Sequence, residues 1–229
     1  MTRTLVPDDA EIATLCARIY DTKAAFVHFD EGVDDGVCWA LHRTDDVDMI
    51  VFRGSVTFQD WVRDLIAVAV PTRIGTIHAG FWLGMENTCS EVQSLTIGRN
   101  VIVAGHSLGA AHASIMTGLL VDSGIAPMAR VVFGEPKPGM KDAARIIRSV
   151  PGRSYRNGDN LHHDLVTDVP FSFPPAEYVH PTPIIPVSCE PSDDLFEQLG
   201  VFAYHHIELY QTALVALKEG VSLDAKAAS

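Results

Sequence analysis

The chain has 229 residues, a formal net charge of -12, and 47% apolar against 20% charged residues. That length suits one domain able to bury most of its apolar surface in a single core, and the composition is that of an ordinary globular protein without repeats or low-complexity tracts. The negative charge and the lack of a Lys/Arg cluster argue against a nucleic-acid partner, since neutralising phosphates takes a basic face,.

Four scattered cysteines, Cys16, Cys38, Cys89 and Cys189, form neither a CxxC metal pattern nor a disulfide framework, and read as reduced thiols,. The first residues, "MTRTLVPDDAEIATL", lack the apolar core of a secretory signal, and no segment reaches the 18 or so apolar residues of a membrane span,. A cytoplasmic protein is the expectation, with non-classical export as the alternative.

After Pro7, "DDAEIATLCARIYD" puts Ile12, Leu15, Cys16 and Ile19 on one helical face, with Asp8 and Asp9 suited to the helix start,. Two strand-like runs follow, 37–43 and 48–54, separated by an acidic turn and read as a hairpin. Next come an amphipathic segment around "TFQDWVRDLIAVAV", a helix from Ala79 to about Leu95, and the apolar strand "NVIVAG" at 100–105,. A helix from Leu108 to about Val121 ends near Gly124. Strand, helix and strand then repeat at 129–136, 139–149 and 153–158. This alternation calls for an α/β fold with a mostly parallel sheet covered by helices on both faces. From Asp159 to Pro191 the chain is rich in Pro, His and Asp and reads as irregular. It closes with a helix whose face is marked by Ile207, Tyr210, Leu214 and Leu217, with His205 and His206 at its start.

Between the strand at 100–105 and the helix at Leu108 lies Gly105-His106-Ser107-Leu108-Gly109. A G-x-S-x-G pattern recurs by chance in roughly one chain of this length in ten, so its setting matters more than the pattern. Strand, sharp turn and helix are what a nucleophile elbow requires: the serine Oγ is lifted above the sheet, and glycines on either side let strand and helix pass closely. The same turn aims the first helix N–H groups, notably that of Leu108, at the place where an oxyanion would form. A serine hydroxyl is a poor nucleophile, so a histidine must take its proton and a carboxylate must orient that histidine. Both residue types follow Ser107 in the order acid, then histidine.

From about Val47 to Tyr210 the chain resembles the fungal-type, class 3 lipases of the α/β-hydrolase superfamily. The likeness rests on "IVFRGSVTFQDWVRDL", "IHAGF", "VIVAGHSLGAAHA" and "VVFGEPKPG", four motifs in order. It implies one α/β-hydrolase domain over 1–229, Ser107 as nucleophile, and an oxyanion hole of Ser55 and the Leu108 N–H. "DLVTDVP" matches the family's acid pattern and points to Asp164, with Asp168 and Asp159 as rivals; the family usually carries Asn where His163 stands. "YHHIELY" matches the start of the last helix in bacterial relatives and points to His205, with His206 as the alternative. His106 is expected to point away and support the turn. His162 and His163 lack further ligands at a metal spacing.

The resemblance also places a lid at about 56–70, with Trp61 and Leu65 as cover or substrate contacts, although any amphipathic helix packed on a core would read alike. An apolar cover over a serine site suits an acyl chain and a transient contact with a lipid interface. The expected activity is hydrolysis of carboxylic esters, acylglycerols among them, through an acyl-enzyme, with no metal or cofactor required. A soluble esterase, or a thioester or amide hydrolase, would share the triad; a non-catalytic binding protein is the other alternative. Oligomeric state is not legible.

Overall fold

The computed structural model describes residues 6–33, 36–55, 68–172 and 176–221. Its first helix, α1 (Asp9–Asp21), opens with a capping box: Asp8 accepts from Glu11 N–H, and Glu11 accepts from Asp8 N–H, both at 2.9 Å. Two orphan donors of the first turn are thereby satisfied. Strands β1 (His28–Asp30), β2 (Trp39–Arg43) and β3 (Val47–Phe52) form an antiparallel meander, with Trp39 opposite Phe52.

Beyond residues 56–67, which lie outside the described residues, β4 (Ala69–Thr72) pairs with β5 (Gly75–His78) as a separate antiparallel hairpin. Ala69 and Val70, placed within the expected lid, are therefore strand residues, opposite His78 and Ile77. The helix expected from Ala79 to Leu95 is two helices, α2 (Ala79–Trp82) and α3 (Met85–Leu95), because Gly84 between them has φ 79°, which a continuous helix does not allow,.

The alternating part follows in order: β6 (Asn100–His106), α4 (Leu108–Asp122), β7 (Ala129–Phe133), α5 (Lys141–Ile147), β8 (Gly152–Asn157), a 3-10 turn (Leu165–Asp168) and β9 (Ile184–Val187). Then come α6 (Asp193–Leu199), a second 3-10 turn (Gly200–His205) and α7 (Ile207–Glu219). Seven strands form one sheet in the order β1-β2-β3-β6-β7-β8-β9, parallel from β3 onward. Strand β9 lies inside the stretch expected to be irregular. It is an edge strand containing Pro186, a residue that edges tolerate and central strands do not,.

Both faces of the sheet are covered. Val101 and Val103 of β6 join Phe52, Trp39 and the inner faces of α3 and α4; Ile102 and Ala104 join Val51, Phe133, α1 and α7. Alternate residues of one strand thus feed two cores, which is why β3 and β6 read as unbroken apolar runs. Parallel strands point their C-terminal ends to one edge, where open α/β sheets hold their sites.

Candidate active site

Ser107 sits between β6 and α4 with φ 61° and ψ -132°, and among the described residues no other non-glycine has positive φ. Such a conformation costs on the order of 1–3 kcal/mol and persists only where the surroundings impose it. Here backbone contacts impose it. A Cβ on Gly105 would lie 2.1 Å from the Gly109 carbonyl oxygen, and one on Gly109 would lie 2.3 Å from that of Phe52. The glycines thus allow helix α4 to leave directly above β6 and against β3.

Gly54, just past β3, lies equally close: a Cβ there would be 2.7 Å from Ser107 Cβ. Ser55 is the next residue and is partly buried, beside the elbow. Leu108 opens α4, so its N–H is among the donors that a helix leaves without an intrahelical acceptor,. The Ser107 hydroxyl is buried and makes no hydrogen bond among the described residues. Its own N–H donates to Phe133 O at 3.1 Å, which ties the elbow to the end of β7.

The residue after Phe133 is Gly134, at φ 57°. A Cβ on it would lie 2.5 Å from Asp164 Oδ2 and 2.8 Å from His205 Nδ1 and Cε1. Asp164 and His205 thus pass directly over the end of β7. They meet at 2.6 Å, His205 Nδ1 to Asp164 Oδ2, and both are buried.

Asp164 is held from four sides. Its N–H donates to Asn157 O at the end of β8, and its Oδ1 accepts from Val166 N–H at 2.9 Å as the cap of the 3-10 turn. Oδ2 accepts from His205 and from Tyr210 Oη on α7, the latter at 2.5 Å. Burial pushes its carboxyl pKa upward, but the His205 ring and these donors outweigh burial and hold it below the ordinary carboxylate value,. An ionised Asp164 fixes the His205 proton on Nδ1, so Nε2 carries the lone pair that a general base needs.

His205 is itself anchored. Its carbonyl accepts from His106 Nε2 at 2.8 Å, and its ring stacks on that of His106 with centroids 4.6 Å apart. His106, expected to point away from the site, lies under the base instead. The preceding carbonyl, Tyr204 O, accepts from Asn157 Nδ2 at 3.2 Å.

The rival residues lie elsewhere. Asp168 accepts from His163 Nε2 at 2.9 Å on the surface, Asp159 accepts from the N–H groups of Leu161 and His162, and His206 forms an exposed pair with Glu208. No group of three or more His, Cys, Asp or Glu side chains suited to a metal occurs among the described residues. Cys16, Cys38 and Cys89 are buried thiols. Trp61 and Leu65, with residues 56–67 of the lid expected at about 56–70, lie outside the described residues. Sequence reasoning missed Gly134, Asn157, Tyr20 and the role of Tyr210. Two of them had a signal: Gly134 lies in "VVFGEPKPG", and Tyr210 on the inner face of the last helix.

A family model described as Lipase (class 3) matches residues 49–173, which hold the elbow, Ser55 and Asp164 and make up more than half of the chain. No curated protein matches the chain. Among solved structures, the triacylglyceride lipase of Rhizomucor miehei is similar at 20% identity and TM-score 0.62, covering 79% of this chain and 78% of that one. Lipase II from Rhizopus niveus is similar at 18% identity and TM-score 0.60, covering 79% and 76%. A lipase from Rhizopus microsporus var. chinensis is similar at 21% identity and TM-score 0.56, covering 73% and 63%. These likenesses show a shared α/β-hydrolase fold. The family match runs over the strand, elbow and acid loop that build the site, and the chain belongs to the class 3 lipase family.

Proposed function

We propose that this carboxylic ester hydrolase works through Ser107 as nucleophile, His205 as base and Asp164 as the group that orients it, on esters of lipid acyl chains. The observation that carries the reading is the buried Asp164–His205 pair lying over Gly134, one residue from the carbonyl that holds Ser107 N–H. His205 Nε2 takes the Ser107 proton as Oγ attacks the ester carbonyl carbon. The carbonyl oxygen becomes an oxyanion facing the Leu108 N–H and Ser55. Collapse expels the alcohol, which takes the proton from His205 and leaves an acyl-enzyme. Water, deprotonated by the same histidine, then releases the acid and restores Ser107. Ionised Asp164 stabilises the imidazolium that forms in both halves of the cycle.

Support for an apolar substrate comes from the segment around Asp164. Leu161 and Phe171 are 83% and 64% exposed, and Leu165 is also exposed, beside a buried catalytic carboxylate. Such side chains suit acyl chains and contact with a lipid surface. Ser107→Ala is expected to abolish hydrolysis of p-nitrophenyl butyrate and labelling by a fluorophosphonate, with an unchanged circular dichroism spectrum. Turnover that survives this substitution overturns the reading. Faster hydrolysis of emulsified long-chain acylglycerol than of dissolved butyrate supports the lipid substrate class, and the reverse favours a soluble esterase.

A further inference from the structure

Three hydrogen bonds run from the oxyanion side of the site to its base by way of one phenol. Tyr20, at the end of α1, meets Gly54 N–H at 3.0 Å and His106 Nδ1 at 3.0 Å, and His106 Nε2 meets the His205 carbonyl at 2.8 Å. The direction of each bond follows from its ends. A carbonyl only accepts, so His106 Nε2 carries a proton. Burial, with the His205 ring beside it, lowers the His106 pKa to about 3, so the ring is neutral and has no second proton to give,. Nδ1 therefore accepts from the Tyr20 hydroxyl. Burial raises the Tyr20 pKa, so that hydroxyl keeps its proton, and its oxygen accepts from Gly54 N–H. The chain reads Gly54 to Tyr20 to His106 to His205, with one sense throughout.

Both ends of the chain touch the reacting groups. Gly54 packs on Ser107 and leads into Ser55; the other end is the backbone of His205. We propose that Tyr20 is a positioning residue for the hydrolytic reaction, its single hydroxyl fixing the oxyanion strand end and the general base at one spacing about Ser107. This rests on the Ser107, His205 and Asp164 reading given above. Tyr20 reaches the reacting atoms only through Gly54 and His106. Its effect is geometric, because an oxyanion donor acts only within about 2.7–3.1 Å of the developing charge, and a displacement of about 1 Å costs on the order of a hundredfold in rate.

A plain anchoring role for Tyr20 is redundant. Helix α1 is already tied to the body through Asp9, which pairs with Arg153 and accepts from Tyr155 Oη, and the Asp8 carboxylate before it pairs with Lys218 of α7. Removing the Tyr20 hydroxyl leaves those ties in place and strips a partner from Gly54 N–H and from His106 Nδ1 together.

The test is Tyr20→Phe, which keeps the ring edge against His106. With p-nitrophenyl butyrate, and with sites counted by fluorophosphonate titration, kcat is expected to fall about 10- to 100-fold with little change in KM. Affinity for an alkyl boronic acid, which forms a tetrahedral adduct on the serine, falls in parallel. Tyr155→Phe removes a hydroxyl that also anchors α1 and keeps the wild-type kcat. A wild-type kcat per titrated site in Tyr20→Phe overturns the proposal, as does an equal loss in Tyr155→Phe. If Tyr20→Phe does not fold, His106→Asn breaks the same chain at its next link; an unchanged kcat there overturns the proposal too. Survival of activity in Ser107→Ala would instead sink the triad itself, so the two failures are distinguishable.

Discussion

Replacing Asp164 by Asn would keep the shape of the site and reverse its bonding sense. An amide nitrogen facing His205 Nδ1 is a donor, so the ring would move its proton to Nε2 and lose the lone pair that accepts from Ser107. Asp164→Asn is expected to lower kcat by a factor on the order of a thousand or more, read with p-nitrophenyl esters. Two residues away from the triad serve as controls: Asp168→Asn and His206→Ala should stay within about twofold of wild type, since the Asp168 carboxylate pairs with half-buried His163 and His206 with exposed Glu208,. Gly134 makes a sharper case. Alanine there adds a methyl group inside contact distance of both Asp164 and His205, at φ 57° where a side chain is strained anyway,. Gly134→Ala should cost more than about tenfold in kcat/KM while Ser107 keeps its place; full activity in that variant would mean that the pair lies further from β7 than it does in this structure.

At the scale of elements, α1 is stabilised by its capping box and by Lys218 reaching Asp8. Asp8→Ala removes the cap, and is expected to cost about 1 kcal/mol, or a fall in Tm of about 2–4 °C for a chain of this size, measured by thermal melting with kcat per titrated site unchanged. That helix was legible from its sequence because its signals are local: an Asp before the first turn, Glu three residues on, and an apolar stripe. The elbow was legible for the same reason, since Gly105, Ser107 and Gly109 sit together between an apolar run and an alanine-rich one. Elements that depend on distant partners were not. Strand β1 has three residues and exists because β2 lies beside it; β9 carries Pro186 and is a strand only as the outer neighbour of β8. The site follows the same division. Spacing alone left Asp164 beside Asp168 and His205 beside His206, because what separates them is a contact across 41 residues of chain. The bond from Tyr20 to His106 crosses 86, and no local pattern announces it.

For the whole molecule, acid is the condition to which the interior is most sensitive. His106 and His112 are buried, and burial holds their pKa values down at about 3 and about 4, far below the ordinary 6.5. Between these limits the unfolded chain binds protons that the folded chain does not, so stability falls as pH drops below about 6.5, by up to about 1.4 kcal/mol per pH unit for each ring. Nearer pH 4 the carboxylates join in. Burial opposes the charge on Asp48, Glu135 and Asp164, yet Arg43 and Arg99, Arg130, and His205 hold the three pKa values below the ordinary range. Stability from these groups is present above the unfolded pKa and is lost as pH falls through the folded one. Urea midpoints should therefore decline steadily from pH 7 to 5 and steepen below 4, and His112→Gln should flatten the first part of that slope; a midpoint that is level from pH 7 to 5 would contradict it. One further consequence lies in the path of the chain through the site. The turn that bears the nucleophile is complete by Gly109, the acid arrives at Asp164, and the base arrives at His205, on the turn leading into the last helix. A growing chain therefore contains the nucleophile for nearly a hundred residues before it contains the base. A chain that stops short of His205 carries the serine without a base, so reactivity depends on the last segment of the domain being in place,.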